Sequence, residues 1–227
     1  MGLLTSVSPE SYILSSTGAE TLNGKAPISI SGGYFDLTDT ITVPSPRITD
    51  LSALSQITIK KQNSEFFHRD DTYTIEERDL RRGRRQIWGV KMWKLQRLLA
   101  EFPKIEPVTA QCAHWMRAIV GLHLFPDANH RTGMATLGRL VLSNDIIDVD
   151  HPWPGEPEEI GKAVLLSKFH RHLASKVNLS SLWRRDTLYW HWYQYFDYLL
   201  NDVRYLALHK HSEGKLREKL RKVRGEN

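Results

Sequence analysis

Apolar residues recur at helical spacing through the middle of the chain. Over Ile75 to about Phe102, the positions Ile87, Val90, Leu95, Leu98 and Leu99 predict a helix that Pro103 and Pro107 close. A second helix is predicted from Val108 to Leu122. Its apolar positions Ala113, Trp115, Met116, Ile119, Val120 and Leu122 cover most of its circumference, the pattern of a helix buried in a bundle. Pro126 then forces a loop over Leu124 to Ala128. A third helix carries Met134, Leu137 and Val141 on one face, places Ala135 and Gly138 where close approach is wanted, and frays at Ser143-Asn144-Asp145. Beyond the turn-rich stretch Asp148 to Pro157, Glu158 to Val177 and Leu182 to Leu208 read as helices again. The aromatic residues of the last, Trp183 to Tyr205, are core packing with polar tips rather than a base-stacking platform, which is built on sheets or grooves.

The first 60 residues differ. They hold 18 Ser or Thr, breaks at Gly32-Gly33 and Pro44 to Pro46, and β-branched runs at Ile28 to Ile30 and Thr40 to Val43. Strands and loops are predicted there, with a further extended segment at Ile57-Thr58-Ile59 and a polar connection to Thr74. The expected organisation is a β/loop extension over 1–60, a mainly α domain over 61–208, and a basic tail over 209–227.

Composition adds compartment and partners. The chain has 227 residues, 41% apolar and 25% charged, enough to bury a core without staples, and its single cysteine, Cys112, forms no internal disulfide framework. No apolar run reaches membrane-spanning length and no signal-peptide pattern opens the chain, so a reducing, cytoplasmic setting without membrane contact is expected. The net charge of +5 is uneven: residues 1–60 carry three basic against five acidic side chains, whereas residues 61–227 carry 28 against 21. Arg78, Arg81, Arg82, Arg84 and Arg85 cluster around Gly83. The tail from Lys215 to Arg224 alternates basic residues with Leu216, Leu220 and Val223, an amphipathic helix that docks one apolar edge. Nucleic-acid binding through these clusters is the less favoured reading.

The chemistry concentrates in His123-Leu124-Phe125-Pro126-Asp127-Ala128-Asn129-His130-Arg131-Thr132-Gly133. An imidazole titrating near neutrality is suited to act as a general base on an alcohol. Asp127 offers oxygen to Mg²⁺, which takes one or two carboxylates plus phosphate oxygens. Asn129, Arg131 and the first amides of the next helix make an anion site. Together these parts suit a nucleotide.

The same string resembles the Fic/Doc (Fido) family motif, His-x-Phe-x-Asp/Glu-Gly/Ala-Asn-Gly/Lys-Arg, at His123, Phe125, Asp127, Ala128, Asn129 and Arg131. The resemblance implies a Fido-type helical bundle with a β-hairpin flap, for which Ile48 to Ile59 is a candidate. It implies transfer of part of a nucleotide onto the Ser, Thr or Tyr hydroxyl of a protein target, with ATP as co-substrate and Mg²⁺. Carried over, His123 is the base, Asp127 the Mg²⁺ ligand, Phe125 the loop anchor, and the segment Ala128, Asn129, His130, Arg131, Thr132 and Gly133 the nucleotide site.

Two positions depart from the pattern of most members, which transfer AMP. His130 stands where they have glycine, and Met134 where they have a second arginine. Doc toxins, which transfer phosphate from an inverted nucleotide, share the bulky basic residue after Asn and lack the second arginine. Losing one charge-assisted contact removes about 1.5–3 kcal/mol of nucleotide binding. AMP transfer is expected, with Doc-like phosphate transfer as one alternative and a catalytically dead scaffold or basic nucleic-acid binder as another. The family's inhibitory helix needs Ser/Thr-x-x-x-Glu-Gly/Asn. Ser6 to Glu10, Ser16 to Glu20 and Thr72 to Glu76 match its first five positions, but none is followed by Gly or Asn, so no built-in inhibitor of that type is expected, and any control would fall to a separate antitoxin-like partner. His114 is expected to be structural, and His151, the pair His170 and His172, and the pair His209 and His211 make no tetrahedral zinc set.

Overall fold

The computed structural model describes residues 46–66, 77–173 and 176–225, with backbone alone over 77–80. The predicted strands at Ile28 to Ile30 and Thr40 to Val43 lie outside these residues, as do Thr72 to Glu76 and the two matches near the N-terminus. All described residues belong to one unit, Thr42–Asn227. Among them the fold is mainly α, with no strand: α1 (Gln56–Glu65), α2 (Glu77–Gly89), α3 (Met92–Ala100), α4 (Val108–Leu122), α5 (Asn129–Ser143), α6 (Pro157–Leu173), α7 (Thr187–Asn201), α8 (Leu206–Lys210) and α9 (Glu213–Arg224).

Helix α4 is the central element. Thirteen of its positions, Val108 through Val120, are buried, and it packs against α5 and α7. The polar groups it carries inward are matched: the Trp115 indole N–H donates to Thr136 Oγ1 (3.0 Å), and Gln111 Nε2 donates to the carbonyls of Ile48 (3.0 Å) and Pro103 (3.1 Å). Arg117, 1% exposed, forms a bidentate pair with Asp186 and donates to the carbonyls of Ser181 and Leu182. Asp186 also caps α7, accepting from the amides of Leu188 and Tyr189 (both 3.1 Å). One carboxylate thus seats the arginine and starts the aromatic helix, whose Tyr189, Trp192, Tyr195 and Phe196 are core.

Several expectations are corrected. Ile57-Thr58-Ile59 is helical, within α1, which Ser55 starts with a reciprocal capping box to Thr58. Ile48 and Ile59 are fully buried in the main core with Leu54, so the helical unit reaches back before residue 60 and Ile48 to Ile59 forms no β-hairpin flap. The helix predicted from Ile75 to Phe102 breaks between α2 and α3. The Trp88 carbonyl, which a continuous helix would pair with the Met92 amide, accepts instead from the buried Lys60 ammonium (2.9 Å), beside the poor helix former Gly89. Likewise Leu182 to Leu208 is divided, because α7 begins only after its cap at Asp186 and ends at Asp202 in the left-handed region (φ 54°). The tail forms α9 as expected: Leu216 and Leu220 pack with Leu165 of α6 in a small separate cluster.

Candidate functional site

The site is the loop between α4 and α5. Helix α4 is held close to the Lys176–Val177 segment at Gly121, where a Cβ would lie 2.5 Å from Val177 Cγ2. The helix ends at His123 in the left-handed region (φ 47°, ψ 52°), and Ala128, the residue before α5, is left-handed too (φ 60°, ψ 18°). Between them Phe125 is buried, 1% exposed, and anchors the loop in the core.

Two asparagines clamp this loop. The Asn129 side chain accepts from the Phe125 amide (3.1 Å) and donates to the Phe125 carbonyl (2.9 Å). From the other side, Asn63 of α1 donates to the Asp127 carbonyl (3.0 Å) and to Thr132 Oγ1 (2.8 Å). Asn63 is fully buried, and among the described residues its Oδ1 has no hydrogen-bond partner. Sequence reading missed this residue, because it read the polar stretch up to Thr74 as a connection rather than a helix.

The first intrahelical bond of α5 runs from the Thr132 amide to the Ala128 carbonyl (2.8 Å). The amides of Asn129 and His130 precede it, and among the described residues neither meets an acceptor. Asp127 lies at this end of α5 with one oxygen accepting from the Ala128 amide (2.6 Å). Its exposed carboxylate keeps a second oxygen and suits a Mg²⁺ that arrives with phosphate oxygens. Among the described residues no three His, Cys, Asp or Glu side chains gather as a protein-only metal cage.

His123 is exposed at the loop's start and within electrostatic reach of Asp127 and Arg171. Burial of part of the ring and the Arg171 charge hold it below the ordinary imidazole value, against a hydrogen bond to its own backbone and the Asp127 charge. It is therefore neutral at pH 7 and able to accept a proton. It also lines a cleft of about 280 Å³ between the α2–α3 corner, with Lys91 and Lys94, and the end of α4.

The remaining motif side chains diverge. The Arg131 guanidinium stacks 4.9 Å over the ring of Phe66, at the end of α1. His130 turns inward: its Nε2 is 3.0 Å from Ser167 Oγ of α6, its ring lies 6.1 Å from Trp192, and burial lowers its pKa to about 3. Thr132 is buried under Asn63, and a Cβ at Gly133 would sit 2.7 Å from Met116 Sδ. Met134 is buried. The structure thus brings His123, Asp127 and the amides of Asn129 and His130 to one place. It leaves Asn129 as a loop clamp, turns the His130 side chain inward, and buries Gly133 and Thr132, whose amide is bonded to the Ala128 carbonyl.

Two cations not singled out in the sequence complete the electrostatics. Lys168 acts on Asp127 and His130, and Arg171 on His123 and His130, both from α6. Compared with protein-family models, curated proteins and solved structures, the chain matches none of them.

Proposed function

We propose that the chain is a Fido-type transferase that moves AMP from ATP, with Mg²⁺, onto a Ser, Thr or Tyr hydroxyl of a protein target. The observation that carries this reading is the placement of a neutral His123 and the Asp127 carboxylate on one clamped loop, directly before the amides of Asn129 and His130 at the start of α5. His123 accepts the proton of the target hydroxyl, whose oxygen forms a bond to the α phosphorus as the bond to pyrophosphate breaks. The amides and Arg131 stabilise the charge spread over the phosphate oxygens. Asp127 would hold the Mg²⁺, whose charge would offset that of the phosphate oxygens.

Phosphate transfer in the Doc manner is the second reading. It is favoured by the buried Met134 and the inward, neutral His130, which leave the first turns of α5 with Arg131 as their only cation. Incubation with ATP labelled at the α or the γ phosphate, with wild type and His123→Ala and with a genuine target present, separates the readings. His123-dependent α label supports AMP transfer and γ label supports phosphate transfer. Absence of both removes the transferase, and salt-sensitive binding to DNA or RNA then supports the basic binder.

A further inference from the structure

Lys168 and Arg171 stand one turn apart on α6, both partly buried, and among the described residues neither has a hydrogen bond or an ion pair. Their position is fixed from two sides. Ser167, the neighbour of Lys168, touches the His130 ring on the first turn of α5 (3.0 Å). Helix α9 lies on α6 through Leu165, Leu216 and Leu220, and brings Arg217 and Arg224 into the field of Lys168. Arg217 is held by Glu213, so its charge is partly answered. Among the described residues, Asp127 is the one carboxylate in the field of Lys168, and Arg171 has Arg224 in its field.

Partly burying two cations among further cations is unfavourable unless an anion shares the space. The motif meanwhile lacks positive charge where a triphosphate needs it, since His130 is neutral and position 134 is methionine. The two facts meet at the first turn of α5, because the same His130 that carries no charge ties α6 to that turn.

We infer that Lys168 and Arg171 form a polyphosphate-binding site beside the α4–α5 loop and take the phosphate oxygens that the motif side chains leave unmatched. The assignment of that polyphosphate to ATP rests on the transferase reading; the site itself does not. Each charge-assisted contact removed weakens binding by about one to two decades.

The test is titration calorimetry with inorganic tripolyphosphate and Mg²⁺ at fixed ionic strength, on wild type, the double variant Lys168→Ala/Arg171→Ala, and a control, Lys219→Ala/Lys222→Ala, which loses the same charge from the exposed side of α9. The expected result is a loss of roughly a hundredfold or more in the first variant and little change in the control. No binding by wild type, or equal weakening in both variants, overturns the inference. If the double variant does not fold, Lys168→Gln and Arg171→Gln are read singly, each expected to lose about tenfold. Failure of the two proposals is distinguishable. Tripolyphosphate bound through α6 without any His123-dependent label transfer sinks only the transferase. Label transfer with an unchanged KM for ATP in the double variant sinks only this site.

Discussion

Asn63 and Thr132, 69 residues apart in the chain, are joined by a 2.8 Å hydrogen bond in the core, and the same Asn63 amide group holds the carbonyl of Asp127. Asn63→Ala leaves that carbonyl and the Thr132 hydroxyl without their donor. The expected loss of stability is about 1–3 kcal/mol, with a fall in label transfer larger than the change in fraction folded. Urea melts and transfer rates on the same preparation check it; an unchanged rate would show that the loop keeps its place unaided.

The pH profile of transfer should rise from an acidic limb and level off. His123 must be neutral to act as a base, and burial and Arg171 hold it below 6.5, so the midpoint lies below pH 6.5. Arg171→Ala removes a charge that disfavours the imidazolium and is expected to move the midpoint upward. A midpoint above pH 7 in wild type would contradict the assignment.

Ala128 occupies the left-handed region with a side chain that gains nothing from it. Ala128→Gly removes a backbone cost of about 1–2 kcal/mol and adds unfolded-state freedom of roughly 0.5–1 kcal/mol. Thermal melts are expected to show a neutral to slightly more stable protein with its transfer activity kept.

Asp186→Ala strands a guanidinium that is 1% exposed and removes the cap of α7. The expected cost is about 3–5 kcal/mol, measured by urea unfolding, with the loss spread over the whole core because Arg117 sits in α4. Burial alone would raise the Asp186 pKa, but the hydrogen bonds and charge of Arg117 and the two α7 amides outweigh it and leave the group below its ordinary value. That contribution is therefore present above about pH 4 and lost as pH falls further.

Stability should also drop earlier in acid through three interior imidazoles. Burial first, helped by Arg185 at His114, Lys168 at His130 and His170 at His191, lowers their pKa values to about 4, 3 and 3. The unfolded chain binds protons on all three near pH 6.5 while the folded chain stays neutral, so stability is full above that pH and falls below it. The slope is about 1.4 kcal/mol per pH unit for each histidine. Melting temperatures equal at pH 7.5 and about 5 would refute this; His191→Gln should flatten the slope by roughly a third.

What the sequence makes legible follows from where polarity and burial agree. Helix α4 has the predicted ends, because its apolar positions run all round and prolines bracket it. The loop and the start of α5 follow from Pro126, and Gly138 admits the Trp153 indole, where a Cβ would lie 2.7 Å from Nε1. Helix α1 hides because its buried face includes Lys60, Gln62 and Asn63, polar groups that hydrogen bond to carbonyls and side chains, while Ile57 and Ile59 alternate as in a strand. Its one local signal was the Ser55/Thr58 capping pair. Among the site residues, His123 and Asp127 were readable from spacing. The inward turn of His130 and the approach of Lys168 and Arg171 were not, since both depend on the contact that Ser167 of α6 makes with the start of α5.

The ten residues of α1 hold both flanks of His123 at once. Lys60 ties down the corner where α2 stops, on the cleft side, and Asn63, one turn later, ties down the carbonyl of Asp127 on the phosphate side. This short rod fixes the spacing between the two surfaces, so a disturbance at either anchor shifts the imidazole relative to what lies on its left and its right together.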